Sequence, residues 1–408
     1  MNMGWPTVNL GDVCDLQNGF AFKSKSFKEG GTPVLRISSI QGEEVSDNRP
    51  VYVDENDYSE NLSKYYVNQG DLLIAMSGGT TGKIGFLKTG ARYLLNQRVG
   101  LFRPTKKLDK QYLFYFLLTK SEESLKISAG SAQPNLSTKQ IKDFQIPLPP
   151  VEEQKRIVAI LDEAFAGIDT AIANTEKNLA NARELFESYL NSVFTQRGEG
   201  WVDKTLKQVC VDFGRGKSKH RPRNDPKLYG GPYRFIQTGD VRNCKHLIKN
   251  STQTYNEAGL AQSKLWPKGT ICITIAANIA ETGILDFDAC FPDSIIGMVV
   301  DSKQTSNNYV EYLLQSVKAR IKAKGKGSAQ DNINLATFEN ELFPFPSLNE
   351  QSKVVANLYE LFTSIQRLQV IYQQKLASLS ELKQSLLQKA FSGELTSKPD
   401  KLIDEAVT

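Results

Sequence analysis

Two segments of the chain, 197 residues apart, carry almost the same sequence. PLPPVEEQKRIVAILDEAF begins at Pro147 and PFPSLNEQSKVVANLYELF begins at Pro344, and nine of the nineteen positions are identical. Solenoid repeats have periods of roughly 20 to 50 residues, so this repeat is too long to be a solenoid unit. The sequence therefore predicts a chain built from two copies of one half-protein.

The regions between these segments repeat more faintly. The pattern W-x4-L-x2-V-C occurs at residues 5–14 and 201–210, and GSAQPNL (Gly130–Leu136) is matched by GSAQDNI (Gly327–Ile333). Short apolar runs bounded by glycine, proline and asparagine, such as GDLLIAMSG and GTICITIAA, predict buried strands. Helices are predicted just before the GSAQ motifs, over residues 110–126 and 309–324.

We therefore predict a mixed α/β protein with an internal repeat. The predicted segments are two similar α/β domains, residues 1–146 and 201–343, and two helical segments, residues 147–200 and 344–408. The net charges of the two domains are +3 and +6, and those of the helical segments are −4 and zero. Positive charge concentrated in the domains is a modest indication of nucleic-acid binding.

Each repeated segment is predicted to begin a long helix. Pro149 and Pro150 precede Val151 and two glutamates, which suit the positive end of a helix dipole. The second copy begins with SLNE (residues 347–350), a capping-box pattern. Apolar residues then recur at steps of four and three, which predicts coiled-coil packing over at least 33 residues, or about 50 Å. Each helix is predicted to end near a glycine, at Gly198 and Gly393, as C-caps often do.

The apolar stripes form the predicted interface of the helix pair. They consist of Leu161, Phe165, Ile168, Ile172, Leu179 and Phe186 in the first helix and Leu358, Phe362, Ile365, Tyr372, Leu376, Leu379 and Leu386 in the second. Tyr189 continues the first stripe; Gln369 and Lys383 interrupt the second, although Leu368 and Leu382 lie beside them. The alternative is that each helix only covers the core of a neighbouring domain.

The sequence also indicates the compartment in which the protein works and whether it binds a metal. No apolar run approaches the roughly 18 to 20 residues of a membrane helix, and the first residues do not resemble a signal peptide. The five cysteines form no CxxC pair, and with two histidines a Cys/His metal cluster is not expected. We expect a cytoplasmic protein with no membrane contact and no bound metal.

The sequence shows no convincing catalytic motif. SGGTTGKIG (Ser77–Gly85) lacks two of the four residues that a phosphate-binding loop requires. Pro292-Asp293 followed by Asp301-Ser302-Lys303 fits the outline of a metal-dependent nuclease, but so short a pattern arises easily by chance, and the first half does not repeat it. We therefore predict a chain with no catalytic residues and keep a self-contained nuclease as an alternative.

Several basic and polar residues are candidates for DNA binding. In RGKSKHRPR, five alternating cations would share one face of an extended backbone and suit phosphate contact, although a solvated flexible loop is the alternative. Arginine and glutamine in turns could contact bases, and a glycine-rich turn could approach the DNA backbone. The candidates are Lys23, Lys25, Arg36, Ser77, Thr80, Thr81, Lys83, Gln97, Arg98, Arg215, Lys217, Lys219, Arg221, Arg223, Gln237 and Arg242.

The combination of these features resembles the specificity subunits of type I restriction-modification systems. The motif L-P-P-x-x-E-Q begins a long helix and recurs after a second W-x4-L domain, and AFSGELTSK (Ala390–Lys398) is similar to the end of that family's sequences. The resemblance covers essentially the whole chain. One departure is that the second copy reads Pro346-Ser347 where the first has Pro149-Pro150.

The resemblance implies that this chain reads DNA and that partner subunits carry out the chemistry. Each α/β domain would read one half of a bipartite site in double-stranded DNA, and an antiparallel helix pair would separate the two domains. Two methyltransferase subunits would dock on the helix pair and the domain flanks, and restriction/translocase subunits would join through the complex. S-adenosylmethionine, ATP and magnesium would belong to these partners, so this chain would need no cofactor.

Three alternatives stay open at this point. The chain could serve a fused methyltransferase-nuclease partner in another restriction-modification architecture. It could also be a coiled-coil scaffold without sequence preference, or the nuclease considered above.

Overall fold

The structure is a computed structural model, and it describes residues 4–45, 50–129, 135–276, 279–318, 338 and 341–397. Most of GSAQPNL, all of GSAQDNI, the end of the predicted helix over residues 309–324 and the last residue of AFSGELTSK lie outside the described residues. The chain forms two compact units. Unit 1 is Met1–Thr175 with Gln374–Thr408, and unit 2 is Glu176–Gln373.

Unit 1 is built from short strands with helices packed beside them. Its strands are β1 (Thr7–Asn9), β2 (Cys14–Asn18), β3 (Thr32–Leu35), β4 (Glu44–Val45), β5 (Val51–Val53), β6 (Tyr66–Val67), β7 (Leu72–Ala75), β8 (Ile84–Leu87), β9 (Tyr93–Leu95), β10 (Val99–Pro104) and β11 (Gln145–Pro147). Its helices are α1 (Leu10–Val13), α2 (Lys110–Thr119), α3 (Ser121–Ala129), α4 (Thr138–Lys142) and the first part of α5 (Val151–Thr195). Short 3-10 helices span Ser24–Ser26, Ile37–Ser39, Glu55–Asp57, Leu62–Tyr65 and Gly78–Thr80.

Unit 2 contains the corresponding elements. Its strands are β12 (Val202–Lys204), β13 (Cys210–Arg215), β14 (Tyr229–Phe235), β15 (Leu247–Ile248), β16 (Gln253–Tyr255), β17 (Leu265–Trp266), β18 (Ile271–Thr274), β19 (Thr282–Leu285), β20 (Ala289–Cys290), β21 (Ile295–Val300) and β22 (Phe343–Phe345). Its helices are α6 (Thr238–Asn243), α7 (Glu257–Ala261), α8 (Asn307–Ser316) and the first part of α9 (Leu348–Ser392). Short 3-10 helices span Leu206–Val209 and Pro226–Leu228.

The sheets of the two units have the same topology. In unit 1 the strand orders are β2-β10-β7-β8-β4, β5-β3-β9-β6 and β1-β11. In unit 2 they are β13-β21-β18-β19-β15, β16-β14-β20-β17 and β12-β22, which is the same order strand for strand. The parallel pairs also correspond, because β3–β9 and β4–β8 are matched by β14–β20 and β15–β19. The predicted duplication and the mixed α/β class are confirmed.

The core of unit 1 receives the start of α5 and the end of α9. Leu161 of α5 and Leu387 of α9 are buried in the same apolar cluster as α2. The ring of Phe391 lies 5.0 Å from that of Tyr112. The last turn of α9 therefore completes the core of the first α/β domain.

The core of unit 2 receives the opposite ends of these helices. Leu358 of α9 and Leu190 of α5 are buried in one cluster with α8. The ring of Phe194 lies 5.5 Å from that of Tyr309, as Phe391 lies beside Tyr112 in unit 1. Each half of the sequence thus supplies a helix end that completes the core of the other half's domain.

The two long helices run antiparallel, and both exceed the predicted minimum of 33 residues. Each has 45 residues, or about 68 Å at 1.5 Å per residue. In unit 1, Asp169 pairs with Lys383 at 2.5 Å, and in unit 2 the ring of Phe186 lies 5.6 Å from that of Phe362. Gly393 directly follows the end of α9 with a φ of 82°, and α5 ends at Thr195, three residues before Gly198, so both helices end near the predicted glycines.

Every predicted interface residue of the helices is buried or half-buried, but the stripes differ in detail from the predicted pattern. Tyr189 is 37% exposed, and its neighbour Leu190 is buried instead. Leu368 and Leu382 are also exposed, while Gln369 and Lys383 are half-buried. The Lys383 ammonium lies 4.9 Å from the centre of the Phe165 ring, so a cation occupies the place in the stripe where a leucine was available one residue away.

Candidate nucleic-acid interface

A buried glutamine anchors the start of each long helix to its α/β domain. In unit 1, Gln154 Oε1 accepts from the backbone N–H of Asp109 (2.8 Å), and Nε2 donates to the carbonyls of Lys107 (2.9 Å) and Pro149 (2.8 Å). This glutamine ends the L-P-P-x-x-E-Q motif that predicts the start of the helix, but the sequence could not show its partners because they lie up to 47 residues away.

Gln351 repeats this arrangement in unit 2. Its Oε1 accepts from the Thr305 hydroxyl (2.8 Å), and its Nε2 donates to the carbonyls of Gln304 (3.0 Å) and Pro346 (2.9 Å). A tyrosine hydroxyl beside each anchor also donates to a carbonyl of the adjoining strand, Tyr112 to Pro147 and Tyr309 to Pro344. The repeated motif thus fixes the direction in which each helix leaves its domain.

The basic segment of unit 2 is only partly the predicted comb. Arg215, Lys217 and Lys219 are exposed and alternate with the buried Gly216 and Ser218, as an extended backbone requires. Neither lysine side chain has a partner within the part of the chain that the structure describes. These two ammonium groups are therefore available to a polyanion.

The arginines of this segment bond to the protein. Arg223 forms two bonds to the Asp293 carboxylate (2.7 and 2.9 Å), and Arg215 Nε donates to the Asp293 carbonyl (2.8 Å). Arg221 donates to the carbonyls of Ser218 (2.6 Å) and His220 (2.8 Å). These bonds hold the segment in one conformation and argue against a freely flexible loop.

Two of the predicted contact residues meet at one cavity of unit 2. The cavity measures about 270 Å³, and its lining includes Ser218, Arg223, Tyr229, Gln237 and Gln253. Gln237 is exposed at the N-cap of α6. Arg242, at the other end of α6, instead lines a separate cavity of about 540 Å³ beside α5 and α9, so it is not grouped with the others.

In unit 1 the candidates fall into three places. Gln97 and Arg98, both exposed, line a cavity of about 260 Å³ with Asn18 and Gln140. Lys23 and Lys25 are exposed around a 3-10 turn after β2.

The third place joins Arg36 to the glycine-rich turn. Arg36 is the N-cap of a 3-10 helix, and the Thr80 hydroxyl donates to the carbonyl of the next residue, Ile37 (3.0 Å). Lys83 is exposed and Ser77 half-buried. Thr81 differs from the prediction, because it is buried and its hydroxyl donates to the Gly78 carbonyl (2.7 Å), which gives it a role within the turn.

The nuclease pattern is not brought together by the fold. Asp293 precedes β21 and Asp301 follows it, so an extended strand separates them by about 25 Å. The Asp293 carboxylate is paired with Arg223, and that of Asp301 accepts from the backbone N–H of Lys303 (3.0 Å) and from Gln304 (3.1 Å). Two carboxylates this far apart cannot share a metal ion. Among the residues that the structure describes, no group of three His, Cys, Asp or Glu could hold one.

A buried histidine–glutamate pair lies beside the cavity of about 540 Å³ in unit 2. Glu311 is fully buried, and its Oε2 lies 2.7 Å from His246 Nδ1, while Asn308 Oδ1 lies 3.2 Å from Nε2. Burial lowers the pKa of His246, but the hydrogen bonds and the charge of Glu311 outweigh it, so the pKa is raised. In unit 1, Phe114 occupies the position of Glu311, and its ring centre lies 5.1 Å from that of Phe86 in β8.

The outer surface of the helix pair is apolar in places. In unit 2, Leu185, which is 58% exposed, and Tyr189 line a groove with Leu361 and Glu360. Such exposed apolar side chains next to polar ones are typical of protein-binding surfaces. Among the described residues, no helix is both long enough and apolar enough to cross a membrane.

Comparisons with known proteins agree with this architecture. Residues 2–181 and 198–374 match the family model described as Type I restriction modification DNA specificity domain. The chain is 25% identical to the type I restriction enzyme EcoBI specificity subunit of Escherichia coli, over 96% of this chain and 86% of that protein. It is 23% identical to the StySPI specificity subunit of Salmonella potsdam, over 96% and 89%.

Two solved structures share the fold. One belongs to a study of complex assembly and conformational transition of the type I R-M system, with a TM-score of 0.79 at 20% identity, covering 96% of this chain and 99% of that one. The other is the HsdS subunit from Thermoanaerobacter tengcongensis, with a TM-score of 0.61 at 18% identity, covering 96% and 98%.

Proposed function

Since the chain belongs to the type I restriction-modification DNA specificity family, we propose that its two α/β domains each read one half of a bipartite site in double-stranded DNA. The functional units in this proposal are residues 1–146 and 201–343, joined through the helical segments 147–200 and 344–408. The chain is a specificity subunit and does not itself carry out the catalysis.

The observation that carries this proposal is the duplication with divergence. Both units share one strand order and one helix anchor, Gln154 or Gln351. The polar residues at matching positions differ, since the half-buried Arg36 occupies an N-cap position where unit 2 has the exposed Gln237. Arginine pairs best with guanine and glutamine with adenine. A duplicated scaffold with different contact residues suits a site whose two halves differ.

Partner subunits supply the chemistry in this proposal. Two methyltransferase subunits would dock on the helix pair and the domain flanks, where the apolar groove around Leu185 and Tyr189 offers a contact surface. Restriction/translocase subunits would join through that complex. S-adenosylmethionine, ATP and magnesium would bind to these partners, and the complex would act in the cytoplasm, where it meets DNA.

The test is to assemble the chain with its methyltransferase partner and map the methylated adenines in random DNA. We expect a bipartite sequence with two different halves and a fixed spacer. A continuous site, or methylation without sequence preference, would contradict the proposal. A requirement for a single fused methyltransferase-nuclease partner would instead favour the other restriction-modification architecture, and DNA cutting by this chain with magnesium alone would favour the nuclease.

A further inference from the structure

Two glutamine side chains of unit 2 form an exposed pair at the cavity of about 270 Å³. Gln237 Nε2 donates to Gln253 Oε1, although the residues belong to different elements, the N-cap of α6 and the start of β16. Both side chains are exposed. A hydrogen bond between two exposed side chains contributes little to the stability of the fold, so the pair is not explained by a structural role.

Asp240 holds the two elements that carry this pair. Its carboxylate accepts from the backbone N–H of Gln237 (2.8 Å) and from the backbone N–H and hydroxyl of Thr252 (both 3.2 Å). Thr252 directly precedes Gln253, so one carboxylate fixes the backbone at both glutamines. The pair is therefore placed before any ligand arrives, which lowers the entropic cost of binding.

The residues around the glutamine pair include basic side chains that could contact DNA phosphates. Ser218 and Arg223, from the basic segment, line the same cavity as the glutamines. The exposed Lys217 and Lys219 flank Ser218 in the sequence and have no partner in the described chain. Phosphate contacts set the register of a protein on DNA, and polar groups beside them can then reach the base edges.

Resting on the proposed function, we infer that Gln237 and Gln253 read one A·T base pair in the half-site of the second domain, and that Asp240 is their positioning residue. A glutamine amide presents a donor and an acceptor side by side. Adenine offers the complementary N7 acceptor and N6 donor in the major groove. Guanine offers two acceptors there and would leave an amide oxygen facing another oxygen.

The test is methylation mapping with the assembled complex and two variants. Gln253→Leu removes the amide, so discrimination at one A·T pair of the second half-site should fall roughly 5- to 150-fold. Gln253→Glu keeps the shape and the bond from Gln237 but replaces the donor by an acceptor. Preference at that pair should then shift towards cytosine, whose N4 group donates. The first half-site should be unchanged in both variants.

Asn250→Leu is the matched control, because Asn250 is an exposed amide on the same domain outside the cavity lining. It should leave the site unchanged. Asp240→Ala should weaken the preference for A·T at the same position as Gln253→Leu does. Asp240→Ser, which copies Ser39 at the corresponding position of unit 1, should restore part of this preference.

Three results would overturn the inference while leaving the proposed function intact. One is that both Gln253 variants keep every base preference. Another is that binding weakens equally for all sequences. The third is that the relaxed position is a G·C pair. Failure of the proposed function would look different, because the unaltered complex would then methylate no bipartite site.

Discussion

The α/β domains of units 1 and 2 share a framework but differ in one of their contacts with the long helix that follows each domain. The strand order, the tyrosine bonds and the bonds that each anchor glutamine donates are the same. Only the donor to the glutamine oxygen differs, a backbone N–H in unit 1 and the Thr305 hydroxyl in unit 2. By contrast, Tyr115 of α2 donates to Asp162 of α5, whereas its counterpart Tyr312 has no hydroxyl partner among the described residues. The residue corresponding to Asp162 is Tyr359, which is 59% exposed.

The difference shows which contacts a duplicated chain must keep. Anchors that set the direction of the helices are retained because both copies need the same helix geometry. Contacts between a helix and its own domain's α2 or α8 can change one at a time, because the apolar core around them supplies most of the burial. In the proposed function, the residues that contact DNA would carry the difference between the two half-sites, so they would be free to diverge.

The largest expected effect follows from separating the halves. A fragment of residues 1–200 keeps the first domain and α5 but lacks Phe391, which completes the core beside Tyr112. Phe194 of a second copy can take this place, because it packs on Tyr309 in the same way in unit 2. We expect the fragment to form a two-fold dimer by light scattering and, with the methyltransferase, to modify a palindromic site built from the first half-site.

Phe194→Ala in the fragment tests the proposed exchange. Removal of a buried phenylalanine ring costs about 3–5 kcal/mol, so the dimer should dissociate at least 100-fold more readily. Tyr189→Ala, which removes an exposed ring from the same helix, is the control and should change little. A folded monomer, or an asymmetric methylation site, would show that the halves are not equivalent.

The second effect concerns the two helix anchors. Gln154→Leu would leave one buried N–H and two carbonyls without partners, at a cost of roughly 4 kcal/mol in the free energy of unfolding. Gln351→Leu should cost about 1 kcal/mol less, because the Thr305 hydroxyl can rotate to another partner. Urea unfolding measures both, and the exposed Gln388→Leu serves as the control. Destabilisation by only one of the two anchor substitutions would contradict a shared anchor.

Much of this framework was predictable because its signals are local. Proline punctuation, the apolar period and the 197-residue repeat predicted two long helices and two similar domains. The prediction that Tyr189 continues the buried stripe was wrong for a physical reason. A strict 3.5-residue period drifts by about 20° per heptad against the 3.6-residue helix, so by the end of α5 the buried side had moved to Leu190 and Phe194.

The candidate site was less predictable, because its geometry depends on distant partners. Alternation in RGKSKHRPR placed Lys217 and Lys219 on an exposed side, but Arg223 bonds to Asp293, 70 residues away. The role of Gln253 had no local signal at all. Its relation to Gln237 comes from the pairing of β14 with β16 and from Asp240, neither of which a sequence pattern specifies.

A third, smaller effect is that the stability of unit 2 should depend on pH in a way that the stability of unit 1 does not. His246 has a raised pKa in the folded protein, so its bond to Glu311 contributes full stability below the unfolded value of about 6.5, and this contribution disappears as the pH rises through the raised pKa. The nearby Cys244 does not titrate in this range, since burial raises its pKa to about 11. Hydrogen exchange in α8 should therefore speed up above pH 6.5 more than that in α2, where Phe114 occupies the position of Glu311 and packs on Phe86.

Glu311→Gln provides the control for this effect. The amide keeps the size of the side chain and can still accept a hydrogen bond from His246, but it removes the charge that raises the pKa. The extra pH dependence of α8 should disappear. If α8 of this variant kept the pH dependence of the original chain, the His246–Glu311 pair would not be its source.

The smallest expected effect concerns DNA affinity and compares the basic residues of the two domains. Removing one lysine that neutralises a phosphate should lower the slope of log K against log salt by about 0.9, so Lys217→Ala with Lys219→Ala should flatten it by about 1.8 in fluorescence-anisotropy titrations. Base preference should not change, because phosphate contacts carry no sequence information. Lys207→Ala, which changes an exposed lysine elsewhere in unit 2, is the control and should leave the slope unaltered.

Lys23→Ala with Lys25→Ala tests the corresponding part of unit 1, where the cations are sparser and lie around a 3-10 turn. An equal slope change in both domains would mean that they hold the DNA backbone alike, whereas no change from the Lys217 and Lys219 pair would remove these lysines from the interface.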